Sequence, residues 1–205
     1  MVKLSYSTLN ATINCHQFWL NKMMGLPTED FEYFHYGKGG HDIIQRHVSG
    51  REKDPLLLHS MPSEHFNFPI VETKDFDENT HFEVPIDNKY LLHGYNDGLN
   101  LATKTILEIK ISTTPWTSSK IKESMQKKCY ALGRPEMTRM LLVTARPDLS
   151  GLKKFEVALT QKDRDEALAW IKDGIKIIED ATFDGGACRN CYRCVYKNSC
   201  EKSRS

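Results

Sequence analysis

The hexapeptide Ile106-Leu107-Glu108-Ile109-Lys110-Ile111 constrains this chain more than any other stretch. Successive side chains of a strand point to opposite faces, so Leu107, Ile109 and Ile111 line one face while Glu108 and Lys110 share the other. The runs 82–86, 90–99 and 105–112 are all extended in character, separated by Asp87-Asn88 and by residues 100–104. They read as a meander of adjacent strands. Asp97 lies on the strand before Glu108, and the short connection folds it back beside that residue. Two carboxylates and an amine then converge.

Phosphodiester hydrolysis needs this combination. Hard oxygen ligands hold Mg²⁺ or Mn²⁺, which polarises a phosphate and lowers the pKa of bound water. Asp97 and Glu108 are the expected ligands. Lys110 is the positioned cation that offsets charge growing on the phosphate. Taken alone, the D-x10-E-x-K pattern also fits an amphipathic hairpin whose solvent face carries Asp, Glu and Lys.

Helical periods surround these strands. After a cap at Ser7, Leu9, Ile13 and then residues 18–24 suggest one or two short helices that end at Gly25 and Pro27. Residues 36–48 place Ile43, Ile44 and Val48 at helical spacing with His41 in the first turns, and Gly37, Gly39 and Gly40 permit close approach of a neighbouring backbone. Residues 51–77 read as loop with a strand around 66–71. A single helix over 118–132 sets Ile121, Met125, Cys129 and Leu132 along an apolar stripe, beside Lys122, Gln126 and Tyr130. Strands follow at 140–145 and 155–159. Thr160 and Asp163 then form a capping box for a helix that turns Leu168, Ile171, Ile175 and Ile178 to the core. The expected fold is α/β, a central mixed sheet flanked by helices.

With 205 residues, 40% hydrophobic and 27% charged, one packed domain over 1–205 is expected. A net charge of +1 excludes a strongly cationic field, so nucleic acid must be held by a local patch. Lys120, Lys122, Lys127, Lys128, Arg134, Arg139 and Arg146, against Glu123 and Glu136, form a local excess that can track phosphates. Trp116 and Tyr130 are candidates to stack on unpaired bases, and Ser112 and Thr113 to donate hydroxyls to the nucleic-acid backbone. The same helix also reads as an ordinary solvated one with core aromatics. Neither a secretory signal nor an apolar run of about 18 residues is evident, which points to the cytoplasm and away from a membrane partner.

Four of the six cysteines crowd into 188–200. Cys191, Cys194 and Cys200 form C-x2-C-x5-C, a spacing that brings thiolates onto one ion or cluster and leaves a fourth ligand to be found. Cys188 completes a self-contained four-thiolate zinc site on one reading.

The order Gly37-x3-His41, Gly94-x2-Asp97, Glu108-Ile109-Lys110, Gln126-x3-Tyr130 and terminal cysteines resembles the RecB-like PD-(D/E)xK nucleases, in particular the small CRISPR-associated Cas-four-type exonucleases. Asn96 stands where the name-giving proline often does. The resemblance implies a restriction-endonuclease-like core in which His41, Asp97, Glu108 and the Ile109 carbonyl hold the metal, with Gln126 and Tyr130 at the active site near substrate. An imidazole ligand tilts the preference toward Mn²⁺. It also implies that Cys15 joins Cys191, Cys194 and Cys200 around a [4Fe-4S] cluster, making 1–35 and 181–205 an iron-sulfur subregion and 36–180 the nuclease core. Cys188 is then surplus. The implied activity is a DNA exonuclease on single strands or overhangs, 5′-to-3′, beside a CRISPR integrase or a viral recombination protein. A catalytically silent DNA-binding or assembly module with a structural iron-sulfur or zinc site is the alternative.

Overall fold

The structure, a computed structural model, describes residues 1–28, 32–59, 61, 68–71, 80–180 and 194–200. Its elements are β1 (Val2–Leu4), α1 (Tyr6–Asn14), α2 (His16–Met23), α3 (Glu32–Val48), α4 (Pro55–Leu58), β2 (Ile70–Val71), β3 (His81–Pro85), β4 (Tyr90–Tyr95), β5 (Gly98–Asn100), β6 (Thr105–Ile111), α5 (Ser118–Lys122), α6 (Met125–Gly133), β7 (Arg139–Ala145), β8 (Lys153–Ala158) and α7 (Gln161–Glu179).

The expected α/β arrangement of a mixed sheet between helices is present. Strands β2-β5-β6-β7-β8 form a five-stranded sheet, in which β6 runs parallel to β7 and antiparallel to β5. Helix α3 covers one face, where Ile44 and Val48 pack with Leu107 and Ile109. On the other face Ile106 and Leu142 pack in one core with Leu9 of α1, Ala131 of α6 and Ile171 of α7. Strand β6 is therefore covered on both sides. Period-2 alternation assigns its faces correctly, but residues 105–109 are buried on both faces and only Lys110 and Ile111 are partly exposed.

Several expectations are corrected. The extended run 90–99 is not one strand: it breaks at Asn96 and Asp97, so β4 belongs to a separate three-stranded sheet, β1-β4-β3, and β5 to the larger one. Strand β1, which precedes the expected helices, is not among the expected elements, and it pairs parallel to β4. Ser5, not Ser7, caps α1 by accepting the Thr8 N–H at 3.2 Å. The helix expected over 118–132 is two helices, because the Ser124 hydroxyl accepts the Lys127 N–H and starts a new one. The strand expected over 66–71 is observed at Ile70–Val71, paired with β5, while residues 62–67 lie outside the described ones. The capping box at Thr160 and Asp163 is formed, and Ile171, Ile175 and Ile178 are buried with Ala167, while Leu168 is only half-buried.

Among the described residues no helix is long and apolar enough to cross a membrane.

Candidate active site

The break between β4 and β5 builds the site. Gly98 pairs with Leu107, which places Asp97 at the end of a short strand directly beside the middle of β6. There its Oδ2 accepts the Ile109 N–H at 2.6 Å. Asn96 is fully buried, and its own N–H donates to the Thr80 carbonyl at 3.0 Å, a bond that proline would forfeit. Its Oδ1 accepts from Arg134 Nε at 3.3 Å.

Helix α3 approaches from the opposite side of β6. A Cβ on Gly40 would lie 3.2 Å from the Ile111 side chain, so the glycine allows the helix to settle close to the sheet. Of the three glycines singled out in the sequence, Gly37 and Gly39 face nothing within 4 Å among the described residues, and the neighbour that Gly40 meets is side chain rather than backbone. The close packing delivers His41, whose Nε2 lies 3.1 Å from Asp97 Oδ2. One turn on, Gln45 donates to the Asp97 carbonyl at 3.0 Å. Sequence reasoning missed Gln45; its i,i+4 spacing from His41 was the available signal.

Glu108 is 3% exposed, which excludes a solvent-facing hairpin as its setting. Its Oε1 is paired with Lys110 Nζ, and its Oε2 finds no hydrogen-bond partner among the described residues. Burial pushes the Glu108 carboxyl pKa up, against the opposing pull of Lys110. Burial alone would lower the Lys110 pKa, but the Glu108 and Asp97 carboxylates outweigh it and the net shift is upward, so the ammonium stays charged. The Tyr130 hydroxyl lies against the Glu108 carboxylate and accepts from Gln126 Nε2 at 2.8 Å. Burial raises the Tyr130 pKa well above its usual value.

Asp97, Glu108, Lys110, His41, Gln126 and Tyr130 are thus brought to one place. Two expectations differ in detail. Among the described residues no three His, Cys, Asp or Glu side chains stand close enough to enclose one ion as they are. Each carboxylate instead takes its nearest donor, Lys110 for Glu108 and His41 with the Ile109 amide for Asp97. Tyr130 does not offer its ring to a base: it is 6% exposed and meets Phe82 edge-on, 6.1 Å between centroids. Phe82 in turn occupies the space beside Gly94 and Gly133, where a Cβ would come within 2.7 and 2.3 Å of its ring. No sequence pattern announces this aromatic wedge.

The basic residues divide. Lys127 is buried and pairs with Asp163 at 2.7 Å, and Lys128 pairs with Glu166 at 2.6 Å. Arg134 donates to the His81 carbonyl at 2.7 Å and Arg139 to the Thr103 carbonyl at 3.0 Å. All four are engaged within the fold, although Arg139 keeps its side chain 46% exposed. Ser112 is also engaged, donating to the Thr114 carbonyl at 3.1 Å.

Residues 194–200 lie against α2 and the segment that follows it. Phe18 packs edge-on against Tyr196 at 5.2 Å, and the Ser199 hydroxyl donates to the Pro27 carbonyl at 3.1 Å. Cys194 and Cys200 remain thiols near this junction, while Cys188 and Cys191 lie outside the described residues. Cys15, expected as a thiolate ligand, is disulfide-bonded. A disulfide sulfur is not a thiolate ligand, so Cys15 in this state does not offer one.

No family model matches the sequence, and no curated protein matches it either. Solved structures do share the fold. The crystal structure of SSO0001 superposes with a TM-score of 0.55 at 18% identity, over 98% of this chain and 86% of that one. LHK-Exo in complex with dAMP gives 0.55 at 10% identity, over 89% and 91%. LHK-Exo, an alkaline exonuclease from Laribacter hongkongensis, gives 0.52 at 11% identity, over 88% and 90%.

Proposed function

We propose that this chain is a divalent-metal-dependent deoxyribonuclease, an exonuclease acting on single-stranded DNA or overhangs. The observation that carries the reading is the Glu108 carboxylate, buried, tied to Lys110 on one oxygen and unpartnered among the described residues on the other, with Asp97 beside it. A buried, orphaned carboxylate oxygen is rare unless an ion completes it. The fold shared with an alkaline exonuclease supports the same reading.

His41, Asp97, Glu108 and the Ile109 carbonyl are the groups that would hold Mn²⁺ or Mg²⁺, and their hard oxygen and imidazole donors suit either ion. When bound, such an ion supplies Lewis acidity and a lowered water pKa. The chain's own residues do the rest. Lys110, kept charged by its carboxylate neighbours, offsets negative charge growing on the phosphate oxygens. Tyr130 and Gln126 act as positioning residues, since the tyrosine sits against Glu108 and the glutamine fixes the tyrosine. Gln45 and the Ile109 amide anchor Asp97.

A [4Fe-4S] cluster on Cys15, Cys191, Cys194 and Cys200 belongs to this proposal, with Cys15 reduced before it can ligate. The packing of residues 194–200 against α2 supports a role in closing the domain. Brown colour and iron in anaerobically purified protein, both lost in Cys194→Ala, support it; a colourless zinc protein rejects it. The 5′-to-3′ polarity and a place beside a CRISPR integrase or a recombination protein rest on the motif resemblance alone.

The test of the enzyme is digestion of end-labelled single-stranded DNA with Mn²⁺ or Mg²⁺. Product is expected, to be abolished by chelator, by Lys110→Ala and by the near-isosteric Glu108→Gln. DNA bound but left uncut with either ion identifies a silent binding module instead.

A further inference from the structure

Strands β6 and β7 run parallel, so their carboxyl ends open on one edge of the sheet, with Lys110 opposite Thr144 and Ile111 opposite Ala145. Open α/β sheets receive ligands at such edges. Just beyond lies a groove whose walls include Thr113, Trp116, Thr144, Arg146 and Lys153. Trp116 also lines the cleft that contains Glu108 and Lys110. Groove and acidic site are therefore joined at one indole ring.

The charge in this groove differs from that of the chain as a whole. Among the described residues no acidic side chain lines it, whereas Arg146 and Lys153 are both exposed there. Asp148 lies near enough to Arg146 to feel its charge, but its carboxylate is bound first to Ser150, whose N–H it accepts at 3.0 Å. Lys120 adds a third cation, with Nζ 4.4 Å from the centre of the Trp116 ring. Four of the seven basic residues between Trp116 and Arg146 are engaged within the fold, and of the other three Arg146 lines this groove and Lys120 lies over Trp116, while Lys122 is exposed elsewhere.

We propose that the groove receives the DNA strand next to the bond to be cut, with Arg146 and Lys153 against successive phosphates and Trp116 stacked on an unpaired base. Arginine and lysine recognise phosphate by charge, and an indole stacks on any exposed base without regard to sequence. A duplex keeps its bases inside, so the combination selects a single strand. The direction of the strand toward Lys110 rests on the nuclease reading; binding itself does not.

The experiment is fluorescence anisotropy of a labelled single-stranded oligonucleotide in chelator, repeated over a range of salt. The wild-type chain is expected to bind. Arg146→Gln with Lys153→Gln should weaken binding at least tenfold and flatten the log-log salt slope by roughly 1.4, about 0.7 for each phosphate that no longer meets a cation. Trp116→Leu should weaken binding by about tenfold with little change in slope. A control pair on α7, Lys162→Gln with Lys172→Gln, removes the same charge at a distance from the groove, and melting curves confirm that each variant is folded. Absence of wild-type binding, or a groove variant that binds no worse than the control pair, overturns the proposal. Chelator silences any cleavage, so failure of the nuclease reading leaves this result intact, and failure of the groove leaves Lys110-dependent cleavage intact.

Discussion

The Ile109 N–H donates to Asp97 Oδ2 at 2.6 Å. One peptide of β6 thus anchors the first carboxylate while its neighbour in the same strand carries the second, Glu108. The spacing between the two acids is set by backbone and does not depend on long flexible side chains. Rigid placement of this kind is what differential binding of a transition state requires.

Removing Lys110 strips Glu108 of the cation paired with it in a site that is almost wholly enclosed. Lys110→Ala should cost about 3 kcal/mol of stability, the usual result of breaking a buried pair. Addition of Mn²⁺ should recover part of the lost melting temperature in this variant. Calorimetry with and without the ion checks it, and identical melting curves would remove the case for a cation at Glu108.

Gln45→Ala leaves the Asp97 carbonyl without its side-chain donor. We expect a loss of about 1–3 kcal/mol, and a fall in cleavage through a lower kcat with KM nearly unchanged, because Gln45 is buried and holds Asp97. A rise in KM alone would place Gln45 elsewhere in the mechanism.

Gly133→Ala would gain helix propensity at the end of α6, yet here the new methyl must enter the space of the Phe82 ring, only 2.3 Å away. Overpacking of this order costs about 1–3 kcal/mol. The double variant with Phe82→Leu should regain most of that loss, and denaturant titration of the three proteins measures the coupling directly.

Asp163 offers a pH dependence away from the acidic site. Burial opposes its charge, but bonds from Lys127 and Thr160 outweigh burial and hold its pKa below the usual carboxylate value. The folded pKa is depressed, so the stabilisation is fully present above about pH 4 and fades as pH falls below it. Asp163→Asn should therefore be clearly less stable than wild type at about pH 7, where it also leaves the buried Lys127 without its carboxylate, and the gap should narrow toward about pH 3. Parallel thermal melts across that range decide the point; a gap that widens on acidification contradicts it.

Much of this is readable from residue order. The β6 alternation, the helix bearing His41 and the Thr160–Asp163 capping box are local patterns, and each is realised in the structure. The gathering of Asp97, Glu108 and Lys110 also follows from local geometry once a short connection joins β5 to β6, whereas His41 arrives through the packing of α3 on the sheet. Gln45 and Phe82 escape notice in the sequence because their roles are defined by partners far along the chain. The cationic helix misleads for the same reason, since Lys127 and Lys128 find Asp163 and Glu166 on α7.

By itself the sequence determined which side chains share a face, because periods of two and about 3.6 residues are properties of the local backbone. Only the tertiary structure decided which faces are covered. Whether Glu108 looks into solvent or into a core, whether one extended run serves one sheet or two, and whether Cys15 is a thiol or a disulfide all depend on segments brought together by folding. Burial and electrostatic pairing are set by these non-local neighbours, and they separate a chemical site from a charged surface.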